Sequence, residues 1–300
     1  MFDKEFDHVE STVDHSQYFT STATPSLLMP GSAPSQGLRY LTDSDLDYLL
    51  WGLGVAASGG GGGWLLAQKM IAQIKEEFPS ARQRPVYDPN SALDTDYGVM
   101  AGGIGAPSSV SPGTIFKFAD YIQAAIRAYR RANPSQRINA IIPVEAGPIN
   151  MLLALYTAWK FGYKVFDCDG AGRAVPSLTN LSFEYEDYPI APVYLAGTKD
   201  DEPVVGPVLP APTDAVDAEG KIRTNLPDYG GSAGLICWGQ TGAQLRASSA
   251  IKYIISSMIN LGHPLQSYHT HRACLLSFMR QESSYSVGEF RVTNYRAVPA

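Results

Sequence analysis

The sequence predicts an α/β protein, a layered sheet with at least one parallel β-α-β unit and helices on both faces. Residues 138–144 form a short run of β-branched and apolar residues, as in a buried strand. A helical pattern follows at 149–161, and strand character resumes at 164–166. A crossover of this length joins two parallel strands with right-handed geometry. Continuous apolar strands are typical of sheets that are covered on both faces.

Composition sets the broad class of the protein. The chain has 300 residues, 45% hydrophobic and 17% charged, which is typical of a soluble globular protein with a core of ordinary size. Its net charge of −6 argues against nucleic-acid or anionic-membrane binding, because phosphate groups require a basic surface. We therefore expect a small-molecule substrate, no nucleic acid and no membrane.

The cysteines and the N-terminus indicate a cellular compartment. The three cysteines, an odd number, do not form a disulfide framework and fit a reducing environment, so we expect a cytoplasmic protein. The N-terminus is acidic and has no apolar stretch behind a basic start, so no secretory signal is expected. No run approaches the ~18 apolar residues of a membrane span.

Residues 1–37 are rich in Ser, Thr, Pro and acids without any period, and they predict a mobile N-terminal tail. The α/β domain is expected at 38–265. Its first predicted helix begins after Thr42, the second spans 64–78 directly after five glycines, and the third spans 120–132.

The second half of the domain is less regular. The Pro-, Gly- and acid-rich segment 196–230 predicts an irregular excursion. A buried strand is expected at 234–238 and a long helix at 242–261, ended by Gly262, His263 and Pro264. Residues 266–300 are expected to be a C-terminal extension, whose loose alternation at 284–298 suggests a strand or two.

Polar residues follow the predicted strands, where open parallel sheets bind their ligands. Crowded carboxylates raise at least one pKa and so prepare an acid–base pair, while an arginine can clamp an anion. The candidate catalytic residues are Glu145, Asp167, Asp169 and Arg173. The alternative is structural: Asp169 and Gly170 form a turn, the aspartates accept backbone N–H bonds, and Arg173 makes a salt bridge.

The glycine run 59–63 precedes a helix, whose N-terminus favours an anion or a carbonyl oxygen. It lacks the residues of a Walker loop or a dinucleotide fingerprint, and a flexible turn is the alternative. We expect this helix N-terminus to face one pocket lined by Asn150 and the four candidate catalytic residues. The candidate ligand-binding residues are Gly60, Gly61, Gly62, Asn150, Thr241 and Gln244.

Several polar residues have plain alternatives. Thr241 and Gln244 have the spacing of a capping box, which explains both without a ligand and is the favoured interpretation. His269, His271 and Cys274 resemble metal-ligand spacing but do not complete a structural zinc site, so no metal is assigned. The two flanking aspartates should raise the pKa of the Cys168 thiol.

Five motifs in one order resemble the S-methyl thiohydantoin desulfurase domain family, which is associated with hydantoinase and oxoprolinase subunits. The resemblance covers about residues 40–262, and its most specific motif is the one at 167–176. The motifs are 54–63, MAGGIGAP at 100–107, PVEAGPIN at 143–150, DCDGAGRAVP at 167–176 and QTGAQ at 240–244.

The resemblance implies an α/β N-terminal domain followed by a mainly β domain, in cytoplasmic proteins of cyclic amide or thiohydantoin metabolism. Trp64 follows the glycine run where Asp-Pro is common, and Pro148 replaces a usual second glycine. The chain ends near the point where the β domain should begin, so 266–300 would be a remnant of it.

The resemblance and the carboxylates together suggest a hydrolase-like enzyme that acts on a small cyclic amide or thiohydantoin. The alternative is a non-catalytic binding or partner subunit of a hydantoinase- or oxoprolinase-like complex. We also expect a homo-oligomer, and the sequence identifies no cofactor.

Overall fold

The computed structural model describes residues 37–105, 115–186 and 188–266. The strands are β1 (Leu38–Tyr40), β2 (Pro85–Tyr87), β3 (Tyr97–Gly105), β4 (Ala140–Pro143), β5 (Lys164–Val165), β6 (Cys168–Asp169), β7 (Tyr194–Lys199), β8 (Glu202–Pro207), β9 (Ser232–Thr241) and β10 (Ile251–Lys252). The helices are α1 (Asp43–Ala57), α2 (Trp64–Glu77), α3 (Lys117–Ala132), α4 (Pro148–Phe161), α5 (Ala215–Asn225), α6 (Gly242–Ala247) and α7 (Ile254–Gln266).

The described ranges contain a six-stranded mixed sheet with the order β5-β4-β3-β9-β7-β8. Strands β4 and β5 are adjacent and parallel, with α4 between them in the chain, so the predicted β-α-β unit and fold class are confirmed. Strand β3 runs parallel to β4, whereas β9 runs antiparallel to β3. Two further strand pairs, β1 with β2 and β6 with β10, lie outside this sheet.

The sheet has a hydrophobic core on each face. Ile141 of β4 packs in the core that holds α1, α2, α3, α4 and α7, whereas Ala140 and Ile142 pack in the core that holds α5 and α6. Because both faces are buried, β4 is a continuous apolar run rather than an alternating one.

Helices α1 and α7 cross in close contact at two glycines. A Cβ on Gly52 would lie 2.0 Å from the carbonyl oxygen of Met258, and one on Gly262 would lie 1.7 Å from that of Tyr48. Gly262 is therefore a packing residue inside α7, and Pro264 is also inside this helix. The predicted helix end at these residues is wrong.

The predicted helix 242–261 is also wrong, because α6 ends at Ala247 and α7 begins only at Ile254. Between them, β10 pairs with β6 in antiparallel register, which places Ile251 opposite Asp169. This pairing with a distant segment interrupts what would otherwise be one helical pattern.

The segment 196–230 is regular rather than an irregular excursion. Strands β7 and β8 form a hairpin whose two-residue turn is Asp200 and Asp201, both at positive φ. Asp214 caps α5 by accepting a hydrogen bond from the backbone N–H of Asp217 at 2.8 Å. Turn and cap residues gave this segment its loop-like composition.

Strand β3 was not predicted, because its glycines are poor strand formers. Gly102 and Gly103 are required there by close neighbours, since added Cβ atoms would lie 2.6 Å from Val144 and 2.9 Å from Phe118.

Several predictions concern residues outside the described ranges: the N-terminal tail, the strands at 284–298, and His269, His271 and Cys274. Among the described helices, none combines the length and apolar character that a membrane crossing requires.

Candidate functional site

Glu145 lies two residues beyond β4 and is only 5% exposed. Its Oε1 accepts a hydrogen bond from Asn150 Nδ2 at 2.7 Å, and its Oε2 accepts one from the backbone N–H of Val175 at 2.5 Å. Burial raises the pKa of Glu145, while these two hydrogen bonds act in the opposite direction.

Asn150 is in the first turn of α4 and connects Glu145 to β3. Its Oδ1 accepts a hydrogen bond from the backbone N–H of Gly103 at 2.8 Å. Because that bond needs an oxygen, the NH₂ group is left to face Glu145. The orientation of the Asn150 amide is thus fixed at both ends.

Asp169 of β6 is fully buried. Its Oδ1 accepts hydrogen bonds from the backbone N–H groups of Ala171 at 3.1 Å and Gly172 at 2.8 Å. Its Oδ2 has no hydrogen-bond partner among the residues the structure describes. Burial raises the pKa of Asp169 to about 7, and the negative charge of Glu145 adds to the rise against the backbone hydrogen bonds.

The glycine run lies over Glu145. The backbone carbonyl of Gly61 accepts a hydrogen bond from the N–H of Ile149 at 3.0 Å. A Cβ on Gly147 would lie 3.0 Å from both Glu145 Oε1 and the Cα of Gly61. The carboxylate and the loop therefore border the same small space beside Gly147.

The structure thus brings together Glu145, Asn150, Asp169 and the glycine run, all at the carboxyl end of β4. The loop meets α4 with a carbonyl oxygen, whereas the sequence led us to expect donated N–H groups. Gly62 contributes by fit, since an added Cβ would lie 2.2 Å from Ile149 Cγ1, whereas one on Gly60 would be in ordinary contact with the Cβ of Ala174 at 3.5 Å.

Asp167 does not join this group, contrary to expectation. Its Oδ1 accepts from the N–H of Ile255 at 2.7 Å, and its Oδ2 accepts from the hydroxyl of Ser256 at 2.5 Å, so it caps α7. Burial raises its pKa, and the hydrogen bonds from Ser256 and Ile255 oppose this. The N–H of Cys168 donates to the carbonyl of Phe166, a tight turn that breaks the strand alternation and separates the two aspartates.

Arg173 is exposed and makes no ion pair or hydrogen bond within the described ranges. It is therefore neither the structural salt bridge nor a contact of the buried carboxylates. It follows the turn that holds Asp169.

Thr241 and Gln244 form the capping box of α6, with the Gln244 N–H donating to Thr241 Oγ1 at 3.2 Å. They lie at the opposite edge of the sheet from Glu145, because Thr241 pairs with Tyr97 at the start of β3. Their inclusion in the candidate site assumed a parallel β9, and the antiparallel direction of β9 corrects it.

Cys168 is buried between the two aspartates. Burial raises the pKa of its thiol above the ordinary value, and the charges of Asp167 and Asp169 add to the rise, as predicted. Within the described part of the chain, no group of three or more His, Cys, Asp or Glu side chains is arranged to hold a metal ion.

Two features of the site escaped the sequence analysis. The bridging role of Asn150 depends on Gly103 of an unpredicted strand. The acceptor role of Gly61 had a faint signal: Gly147 offers no side-chain cap and Pro148 has no N–H, so the start of α4 needs an external acceptor.

Fold and site together define a mixed α/β domain with two buried carboxyl groups at the carboxyl end of β4, one of them next to a glycine loop. Residues 44–206 match the S-Me-THD-like, N-terminal domain family, and the chain belongs to this family. The resemblance stated from the motifs is thereby confirmed.

A crystal structure of a protein from Chromobacterium violaceum, determined by a structural genomics consortium, is similar to this chain. The two are 28% identical, with a TM-score of 0.65 over 82% of this chain. The chain spans 66% of the length of that protein. Among curated proteins, none matches this chain.

Proposed function

We propose that this chain is a hydrolase-like enzyme that opens a small cyclic amide or thiohydantoin ring, with Glu145 and Asp169 as its acid–base pair. The observation that carries the proposal is the buried Asp169 Oδ2, which has no hydrogen-bond partner in the described structure. The negative charge of Glu145 helps to raise the pKa of this carboxyl. Family membership supports the class of substrate.

The two aspartates of the same segment make the contrast clear. Asp167 uses both oxygens to cap α7, as expected of a structural carboxylate. Asp169 leaves one oxygen without a partner, which costs about 1–3 kcal/mol for a buried polar atom. Buried polar groups without partners are rare, and a catalytic role is one of the explanations for them.

The pair suits hydrolysis of a ring C–N bond. Ionised Glu145 takes a proton from water as the water oxygen bonds to the ring carbonyl carbon. Protonated Asp169 gives its proton to the ring nitrogen as the C–N bond breaks, which yields a carboxyl group and a free amine or amide. The proton on Glu145 then returns to Asp169 within the pair.

Arg173 completes the proposal at the rim of the site. As an exposed guanidinium without an ion pair among the described residues, it is available to a negatively charged substrate. We also propose that the protein acts in the cytoplasm and that it forms a homo-oligomer. Light scattering on the purified chain tests the oligomeric state.

The alternative function is a non-catalytic binding or partner subunit of a hydantoinase- or oxoprolinase-like complex. One observation favours it: Asp169 is fully buried, so no substrate reaches it in this arrangement.

Incubation with hydantoin and 2-thiohydantoin in heavy-oxygen water separates the two functions. The enzyme predicts a ring-opened product that carries one heavy oxygen atom by mass spectrometry, and its loss in Asp169→Asn. No product from either ring, together with co-purification of a hydantoinase-like subunit, would establish the alternative.

A further inference from the structure

Helix α4 begins without a cap of its own. Its N-cap residue, Gly147, has no side chain, and Pro148 has no N–H to donate. The first available donor is the N–H of Ile149, and the carbonyl of Gly61 accepts it at 3.0 Å. The positive end of α4 is therefore neutralised by a carbonyl oxygen from another segment.

The loop that brings this carbonyl is built for close but limited contact. Gly61 and Gly62 have φ of 67° and 96°, which other residues rarely adopt. A Cβ on Gly61 would lie 2.7 Å from the Cα of Gly147, and one on Gly62 would lie 2.2 Å from Ile149 Cγ1, so both glycines are in tight contact with the start of α4. Added Cβ atoms on Gly59 and Gly63 would meet no described atom within 4 Å, so both ends of the loop border open space.

A second observation lies at the same end of α4. The backbone N–H of Ala146, just before the N-cap, is close enough to the Asp169 carboxyl to lower its pKa, but it does not reach hydrogen-bond geometry, so the buried Oδ2 has no partner among the described atoms. The Ile149 N–H and a buried carboxyl oxygen without a partner thus lie at the same end of α4.

We propose that the 59–63 loop is a lid, and that the Gly61 carbonyl holds the place that the carbonyl oxygen of a cyclic amide takes when the lid lifts. This inference rests on the proposed function and names how the substrate is held. The Ile149 N–H then donates to the ligand, at the end of α4 that favours negative charge.

The lid also explains how a fully buried Asp169 can meet a substrate. With the lid closed, Asp169 is fully buried and no substrate reaches it. Lifting Gly61 from Gly147 opens the space beside Gly147 that Glu145 Oε1 also borders. Substrate binding and access to the acid–base pair become one event.

Hydrogen exchange tests the lid, with hydantoin as the probe. In the wild-type chain, hydantoin should raise exchange at Gly60, whose N–H donates to Ala57 in the closed loop, while Ile149 stays protected by the ligand. Unchanged exchange at Gly60 with saturating hydantoin would overturn the proposal.

A pair of variants gives an independent test. Gly61→Ala forces the loop off Gly147, so the exchange rate of Ile149 should rise about tenfold without ligand and fall when hydantoin binds. The matched control Gly63→Ala, at a φ of −75° and in open space, should exchange as the wild type does. Unchanged Ile149 protection in Gly61→Ala would contradict the lid.

Two readouts keep this inference separate from the proposed function. Wild-type exchange at Ile122 of α3, unchanged in Gly61→Ala, shows that the variant is folded. Lid opening by hydantoin without ring opening would overturn the enzyme alone. Ring opening with Gly60 still protected would overturn the lid alone.

Discussion

Asn150 donates a hydrogen bond from Nδ2 to Oε1 of Glu145 at 2.7 Å, and this bond sets the position of the proposed base. The other end of the amide is held by the Gly103 N–H at 2.8 Å. Because the Asn150 amide cannot flip without breaking both bonds, its NH₂ group always faces Glu145. Asn150 is thus a positioning residue.

Replacing Asn150 by Asp tests this role. The new carboxylate would face Glu145 without a proton to donate, so the pKa of Glu145 should rise further and the acidic limb of the pH–rate profile should move upward. We expect about a tenfold or greater loss of kcat at neutral pH. The control Asn180→Asp adds the same charge at an exposed position and should leave the profile unchanged. An unmoved acidic limb in Asn150→Asp would remove Asn150 from the account.

Asp169 makes stability depend on pH. Its pKa is about 7 in the folded chain and about 3.9 when unfolded, so the unfolded state loses the proton first as pH rises. The folded state therefore loses up to about 4 kcal/mol of stability between pH 4 and pH 7. Asp169→Asn removes this dependence, so its stability relative to the wild type should increase over that range. Urea unfolding at several pH values measures this, and parallel curves would contradict it.

Asp167 is expected to contribute to stability and not to turnover. Asp167→Ala removes the cap of α7 and should lower the free energy of unfolding by about 1–2 kcal/mol. Its kcat per folded molecule should stay at the wild-type value, because Asp167 faces α7. Denaturant titration and turnover on the same preparation check this, and a large loss of kcat would return Asp167 to the site.

Arg173 is expected to affect substrate binding and not stability. Arg173→Ala should change the free energy of unfolding by less than about 0.5 kcal/mol. It should raise KM about tenfold for a carboxylated ring such as hydantoin-5-acetic acid and leave neutral hydantoin unaffected. Arg137→Ala, also exposed, removes the same charge before β4 and serves as the control. Equal KM values for the anionic ring would exclude the clamp.

Sequence reasoning found the fold where the signals are local. The apolar run of β4 and the helical pattern of α4 identify the β-α-β unit, and the Thr42 cap identifies the start of α1. The direction of β9 depends on its pairing with distant β3, which no local pattern records. The break between α6 and α7 likewise depends on β6.

The site divides in the same way. Glu145 and the glycine run meet at the expected edge of the sheet, because strand ends and glycines are legible in sequence. The different roles of Asp167 and Asp169 cannot be predicted from the sequence, because they depend on the tight turn that the Cys168 N–H closes. As a result, Asp167 caps a helix, whereas Asp169 interacts with the charge of Glu145. Thr241 lies at the opposite end of the sheet from Glu145. This could not be predicted, because the local sequence does not record the direction of β9.

The pH dependence of kcat/KM for hydantoin opening, in the wild type and in Asp169→Asn, tests the central claim most directly. The account predicts a basic limb near pH 7 in the wild type, where Asp169 loses its proton, and a loss of about 10²- to 10⁴-fold in the variant, without that limb. Wild-type activity and an unchanged basic limb in Asp169→Asn would contradict it.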